Sequence, residues 1–141
     1  EEQSSTDIAA EIFETSGASR PVEGLAALFV EDNLIIAIDG ESILEELGAR
    51  EVHIAANAGA ALQIMDDHAI DIAVLDLNLG TETSLVVADR LAEQNIPFVF
   101  ASGYGDSQIL AAPHGERVMV TKPYDNSSLA KALNKALAEK R

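Results

Sequence analysis

Polar residues that could do chemistry follow the apolar runs of this sequence, directly where each run ends. They are Glu31 and Asp32 after the first run, Asp76 after the third, Ser102 after the fourth, and Thr121 and Lys122 after the fifth. Three carboxylates that come together repel one another and tend to hold a proton, unless a divalent cation neutralises them. Oxygen ligands without cysteine or a paired histidine favour Mg²⁺ or Mn²⁺, and Mg²⁺ often completes its coordination with phosphate oxygens. These residue types therefore predict a cation site that can also hold a phosphate group.

The elements that must position these residues alternate along the chain. Strands are predicted at residues 26–30, 51–55, 70–75, 97–101 and 117–121, and helical patterns lie between and after them. Continuous apolar runs are typical of parallel strands that helices cover on both faces. The alternation predicts an α/β fold, with a flavodoxin-like, doubly wound five-stranded parallel sheet of strand order 2-1-3-4-5. In such sheets ligands bind beyond the carboxyl ends of the strands, which is where the polar residues fall.

The composition argues against several classes of function. The sequence has 141 residues, a formal net charge of −15 and no cysteine. Nucleic-acid binding depends on Lys and Arg that neutralise phosphates, so this charge argues against a nucleic-acid partner, and it would repel an anionic membrane. No apolar run is long enough to span a bilayer. The lack of cysteine excludes disulfides and suits a reducing cytoplasm, while the charge favours a metal cation or a basic partner surface.

Four short motifs at the ends of predicted strands resemble those of receiver domains from two-component response regulators. Residues 29–33 (FVEDN) resemble the acidic pair of that family, and residues 74–79 (VLDLNL) resemble its phosphoacceptor strand end. Residues 100–103 (FASG) are similar to its switch Ser/Thr with the small residue that follows, and residues 120–124 (VTKPY) are similar to its Lys-Pro turn. The four motifs occur in the family's order and together span most of the chain.

The resemblance implies a role for each residue at the strand ends. Asp76 accepts a phosphoryl group and becomes an aspartyl phosphate. The implied metal ligands are Glu31, Asp32, Asp76 and the backbone carbonyl of Asn78, with Mg²⁺ as the cofactor and Mn²⁺ as an alternative. Lys122 neutralises phosphoryl oxygens in the transition state, and Ser102 hydrogen-bonds the phosphoryl group. The implied phosphodonor is a phosphohistidine on a histidine kinase or on a phosphotransfer domain.

The resemblance also implies a switch that responds to the charge of the new phosphoryl group. The residues of this switch are Ser102, Gly103, Tyr104, Met119 and Pro123. A cis peptide bond is implied between Lys122 and Pro123, which would aim the ammonium group inward. We expect the switch to alter a surface that a partner protein recognises.

The sequence departs from the common family pattern at three places. Met119 stands where many receivers carry an aromatic residue, so a relay through an aromatic rotamer is in doubt. Gly80 replaces the usual proline four residues after the acceptor. The helix between the fourth and fifth strands is predicted to be short or irregular, because only about residues 106–112 can be helical before Pro113. Residues 100–104 (FASGY) resemble a subgroup with a Phe-Ala-Thr-Gly-type motif, found alone or at the C-terminus of HWE-type hybrid histidine kinases.

The two ends of the chain lead to separate expectations. Residues 1–24 are predicted to form an N-terminal extension with a short helix and a linker, and residues 25–141 the receiver domain. Because the sequence begins with Glu1 rather than Met, we hypothesise that it is the C-terminal receiver of a hybrid kinase. A stand-alone regulator is the alternative, and the extension could instead mediate a homodimer.

Two alternative functions remain open from the sequence. A phosphatase of the haloacid dehalogenase type needs a second aspartate two positions after its nucleophile, where this sequence has Asn78, and the chain lacks room for a cap domain. A pseudo-receiver would act as a protein-binding scaffold without phosphorylation, although the acidic pair, the acceptor and the lysine are all intact. His53, His68 and His114 lack the spacing of metal ligands and are interpreted as structural or surface residues.

Overall fold

The described part of the chain, residues 20–103 and 118–139 in a computed structural model, alternates strands and helices. The strands are β1 (Ala26–Val30), β2 (Glu51–Ala55), β3 (Ile72–Asp76), β4 (Phe98–Ser102) and β5 (Met119–Thr121). The helices are α1 (Leu34–Glu46), α2 (Ala58–Asp67), α3 (Leu85–Glu93) and α4 (Asn126–Glu139). The predicted N-terminal helix, Tyr104, His114 and the helix predicted between the fourth and fifth strands lie outside the described residues.

The five strands form one parallel sheet in the order β2-β1-β3-β4-β5, which confirms the predicted fold. The strand order changes direction between β1 and β3, and this is the switch point at which ligands bind in doubly wound sheets. In the register of the sheet, Val30 lies beside Leu75 and Asp76 lies beside Ala101. The carboxyl ends of β1, β3 and β4 therefore lie at one edge of the sheet, as the site requires.

The side chains of the sheet pack in two layers, because successive residues of a strand face opposite sides. Phe29 and Val74 belong to the layer that α1 and α4 cover. Leu28 and Leu75 belong to the layer that α2 and α3 cover. All four of these side chains are fully buried, so the central strands are held from both faces.

The start of α1 is fixed by two local features beside the acidic pair. Asn33 caps the helix, since its Oδ1 accepts hydrogen bonds from the backbone N–H groups of Ile35 at 3.0 Å and Ile36 at 3.1 Å. Gly40 lets the helix approach β1 closely, because a Cβ atom at this position would lie 2.1 Å from Cε2 of Phe29. These contacts hold the turn that carries Glu31 and Asp32. In the described ranges, no helix has the length and apolar character needed to cross a membrane.

Candidate functional site

Three carboxylates meet at the carboxyl edge of the sheet. Asp76 is the last residue of β3 and Glu31 directly follows β1, and each is only 2% exposed. The backbone N–H of Glu31 donates to the carbonyl of Ala55, which continues the pairing of β1 with β2. Asp32 is exposed, and carboxylate oxygens of all three residues lie within 4.8 Å of one another. The predicted acidic cluster therefore exists, with two buried members and one that faces solvent.

The ammonium group of Lys122 lies against the two buried carboxylates. Its Nζ is 3.1 Å from Oδ1 of Asp76 and 3.4 Å from Oε1 of Glu31. The backbone N–H of Lys122 donates to the carbonyl of Ser102 at 2.8 Å, which fixes the start of the turn to β4. The peptide bond between Lys122 and Pro123 is cis, as the family resemblance led us to expect. The lysine thus reaches the site from the end of β5.

The charges of the site are strongly coupled. Burial raises the pKa of Glu31 to about 7, and the neighbouring negative charge of Asp76 adds to this effect. Burial also raises the pKa of Asp76, although its hydrogen bond and ion pair with Lys122 act in the opposite direction. The pKa of Lys122 is raised, because its interactions with the two carboxylates outweigh its partial burial. One ammonium group therefore does not neutralise three carboxylates, and the site favours a further positive charge.

The arrangement of oxygen atoms fits a hard divalent cation. Oε1 of Glu31 and Oδ1 of Asp76 are buried, and both face the ammonium group of Lys122. The side-chain atoms of the cluster are all carboxylate oxygens, the donor type that Mg²⁺ and Mn²⁺ prefer. Because Asp32 faces solvent, a cation can reach the cluster without opening the core. The acidic cluster could therefore hold a metal ion.

Asn78 lies two residues after Asp76, at the start of a tight loop. Its side chain is exposed, and its Oδ1 accepts a hydrogen bond from the backbone N–H of Gly80 at 2.9 Å. A hydrogen bond from its backbone also acts to lower the pKa of Asp76. The side chain of Asn78 is thus used within the loop, which leaves its backbone as the part that can serve the site.

Four of the predicted switch residues lie on β4, on β5 or in the segments that directly follow these strands. Ser102 ends β4 and is half-buried, and Met119 begins β5 and packs in the layer covered by α2 and α3. A cleft of about 380 Å³ separates α1 from the turn after β5, and its lining includes Gly103 and Pro123. Ser102, Gly103 and Pro123 thus lie near Lys122 at the ends of β4 and β5, whereas Met119 lies at the start of β5 and Tyr104 lies outside the described residues.

Tyr124 is a site residue that sequence reasoning did not single out. Its hydroxyl group is buried without a hydrogen-bond partner in the described residues. Burial, and then the negative charges of Glu31, Asp76 and Asp39, raise the pKa of Tyr124 well above its usual value, so the hydroxyl keeps its proton. Its position directly after the Lys-Pro turn was the one sequence signal that could have drawn attention to it.

Comparison with known proteins identifies the family. Residues 27–134 match the family model described as the response regulator receiver domain. This chain belongs to that family. Receiver domains are the regulatory domains of two-component signalling, and this assignment confirms the resemblance drawn from the four motifs. The relationship to the HWE-kinase subgroup stays a prediction.

Similar solved structures agree with the assignment. SdrG from Sphingomonas melonis Fr1 is 37% identical with a TM-score of 0.72, and the match covers 81% of this chain and 97% of that chain. A CheY-like response regulator receiver domain from Methylobacillus flagellatus is 28% identical with a TM-score of 0.68, covering 81% of this chain and 99% of that one. No curated protein matches this receiver domain.

A larger relative is similar over part of its length. The anti-anti-sigma factor PhyR from Bartonella quintana is 26% identical with a TM-score of 0.68, and the match covers 82% of this chain and 48% of that chain. The receiver domain thus spans about half the length of PhyR.

Proposed function

We propose that this receiver domain accepts a phosphoryl group onto Asp76 from a phosphohistidine, in a reaction that depends on Mg²⁺. The observation that carries the proposal is the position of the Lys122 ammonium group, 3.1 Å from the Asp76 carboxylate and within the same cluster as Glu31. A buried nucleophile, a cation and a set of hard ligands are the parts that phosphoryl transfer requires. The domain is cytoplasmic in this proposal, since it must meet a kinase or phosphotransfer domain there.

The residues of the chain divide the chemistry between them. A carboxylate oxygen of Asp76 attacks phosphorus, an O–P bond forms, the P–N bond to the donor imidazole breaks, and the imidazole leaves with a proton from solvent. Lys122 neutralises charge on the phosphoryl oxygens during the transfer. Glu31, Asp32, Asp76 and the backbone carbonyl of Asn78 would hold Mg²⁺, which when bound supplies further charge neutralisation.

The product changes the charge of the site and drives the switch. An aspartyl phosphate replaces one negative charge by about two, by analogy with other phosphorylations. Ser102 donates its hydroxyl to the phosphoryl group, and Gly103 directly follows it. Met119 is flexible and can repack without a defined rotamer change. Pro123 holds the turn beside Lys122, so the switch surface lies around the ends of β4 and β5.

An exposed apolar patch supports docking of the phosphodonor beside the site. Leu34, Ile35 and Ile38 are 71%, 79% and 55% exposed, all in the first half of α1. Contiguous apolar side chains on a monomer commonly mark a protein-interaction surface. α1 begins two residues after Asp32, so a partner that covers this patch brings its phosphohistidine towards Asp76.

Mass spectrometry of the intact protein after treatment with acetyl phosphate and Mg²⁺ tests the proposal. We expect one phosphoryl group on the wild-type chain, and none on Asp76→Asn or in the presence of a chelator. A wild-type chain without label would favour the pseudo-receiver. Rapid turnover of phosphate monoesters without a stable adduct would favour a phosphatase of the haloacid dehalogenase type.

A further inference from the structure

The loop between β3 and α3 folds back on itself directly after the acceptor. Asn78 and Thr83 form an antiparallel bridge, and the backbone N–H of Leu79 donates to the carbonyl of Glu82 at 2.9 Å. The side chains of Leu77 and Leu79 are buried and hold the loop against the core. The loop is therefore a compact turn.

Gly80 lies at the tip of this loop in a conformation that the usual proline of the family cannot adopt. Its φ is +86°, whereas the proline ring holds φ near about −65°. A Cβ atom at Gly80 would lie 3.5 Å from Oδ2 of Asp32, so the tip lies beside the exposed member of the acidic cluster. Glycine brings conformational freedom, so the position of the tip depends on the hydrogen bond from its N–H to Asn78 Oδ1 and on whatever holds the rest of the loop in place.

The carboxylate of Glu82 provides a connection from this loop to α2. Its Oε2 accepts a hydrogen bond from the backbone N–H of Ala58, the first residue of α2, at 3.0 Å. Asn57 caps the same helix by accepting from the N–H of Ala60 at 2.8 Å. The first turn of α2 contains no acidic residue of its own. Glu82 therefore supplies the negative charge that a helix N-terminus favours, from a different part of the chain.

We propose that Glu82 is a positioning residue for the phosphorylation site. By bonding to the N-terminus of α2, it holds the glycine-containing loop closed beside Asp32, and so fixes the backbone of Asn78 relative to the acidic cluster. This replaces the rigidity that a proline would give the loop. The inference rests on the proposed function, because the closed loop matters through the Mg²⁺ that the cluster would hold.

The test compares Glu82→Ala and Glu82→Gln with a control variant, Glu93→Ala, at the far end of α3. Hydrogen exchange of the Ala58 amide reports the hydrogen bond itself, and NMR titration with Mg²⁺ alone reports the site. In Glu82→Ala we expect exchange at Ala58 to become about five- to tenfold faster. We expect the Mg²⁺ dissociation constant to rise about tenfold, the low end of the effect of outer-shell residues on metal sites. Glu82→Gln keeps an acceptor oxygen and should recover most of both losses, and Glu93→Ala should change neither.

The outcomes separate this inference from the proposed function. Faster exchange at Ala58 in Glu82→Ala with an unchanged Mg²⁺ dissociation constant would show that Glu82 only caps α2, and would overturn the inference. Unchanged exchange at Ala58 would overturn it as well. A wild-type protein that binds no Mg²⁺ would instead overturn the proposed function, together with the inference that rests on it.

Discussion

The ring of Phe29 occupies the space that a side chain at Gly40 would need. A Cβ atom at Gly40 would lie 2.1 Å from Cε2 of Phe29, far inside van der Waals contact. Phe29 is fully buried and stands two residues before Glu31. The close packing of α1 on β1 therefore extends to within two residues of the turn that carries Glu31 and Asp32.

Gly40→Ala is expected to destabilise the domain. An alanine in a helix interior is normally favoured over glycine by about 0.5–1 kcal/mol, but here the methyl group must displace a buried ring at a cost of about 1–3 kcal/mol. Gly59→Ala in α2 is the matched control, because its Cβ would meet only Oδ1 of Asn57 at an ordinary 3.5 Å. Urea denaturation should show a lower free energy of unfolding for Gly40→Ala and an unchanged or higher value for Gly59→Ala. Equal effects of the two substitutions would contradict the packing described for Phe29.

Lys122→Met is expected to slow the labelling of Asp76 strongly. Loss of the ammonium group removes the residue that neutralises the phosphoryl oxygens, and loss of one such preorganised group typically costs about 10²–10³-fold in rate. The rate is measured with acetyl phosphate at saturating Mg²⁺ by intact mass. The control is Lys131→Met on α4, a lysine that lines a different surface groove. If the labelling rate of Lys122→Met equals that of the control, Lys122 has no role in the phosphoryl transfer.

The metal-free domain is expected to lose stability as the pH rises from about 4.5 to 7. The pKa of Glu31 in the folded state is about 7, above its ordinary value of 4.5. A raised pKa of a carboxyl group stabilises the fold fully below the unfolded value, and this stabilisation is lost as the pH rises through the folded value. Glu31 is 2% exposed, so the loss can reach about 3 kcal/mol. The raised pKa of Lys122 does not contribute in this window, because that group stays protonated throughout it.

Urea denaturation in the presence of a chelator, at several pH values, measures this dependence. Glu31→Gln should reduce the slope and leave the part that comes from Asp76, whose pKa is also raised by burial, and Glu45→Gln, which alters an exposed carboxylate on α1, should leave the slope unchanged. Addition of Mg²⁺ at pH 8 should restore stability to the wild-type domain. The same slope in Glu31→Gln as in the wild type would show that Glu31 is not the group responsible.

Ile35→Ser is expected to slow phosphoryl transfer from a protein donor without slowing the labelling of Asp76 by a small donor. Ile35 is 79% exposed, so its replacement should change the free energy of unfolding by no more than about 0.5 kcal/mol. Labelling by acetyl phosphate should not change, since this small donor needs no docking surface. Transfer from a phosphorylated kinase or phosphotransfer domain should become slower. Val86, 50% exposed on α3, offers the control Val86→Ser, which should leave both rates unaltered. Slower labelling by acetyl phosphate in Ile35→Ser would place the effect in the site rather than in docking.

The convergence of the site residues that lie at the ends of strands could be predicted from the sequence. Asp76, Glu31 and Lys122 end or follow apolar runs, and parallel strands align such positions at one edge of the sheet. Their convergence could therefore be predicted without knowledge of any side-chain contact. The family resemblance added the roles of these residues and the cis bond before Pro123.

Contacts that depend on packing between helices and loops could not be predicted in this way. Glu82 and Ala58 are 24 residues apart and carry no pattern that pairs them. His53 and His68 were interpreted as structural or surface residues, and their contact, with ring centroids 4.3 Å apart where the end of α2 returns beside β2, was not predicted. Side-chain directions of this kind depend on the angle between elements, which apolar periodicity does not encode.

The register of β3 has a consequence for how faithfully the protein must fold. Each residue of a strand advances by about 3.3 Å, and its neighbours face the opposite side. Slippage of β3 by a single position would carry the Asp76 carboxylate away from its lysine and would exchange Val74 and Leu75 between the two layers. Since β3 pairs with β1 and β4 at once, such a slip breaks two ladders. A molecule with a misaligned β3 would therefore not accept a phosphoryl group. The labelled fraction of a preparation would then measure the fraction of molecules in which β3 has the correct register.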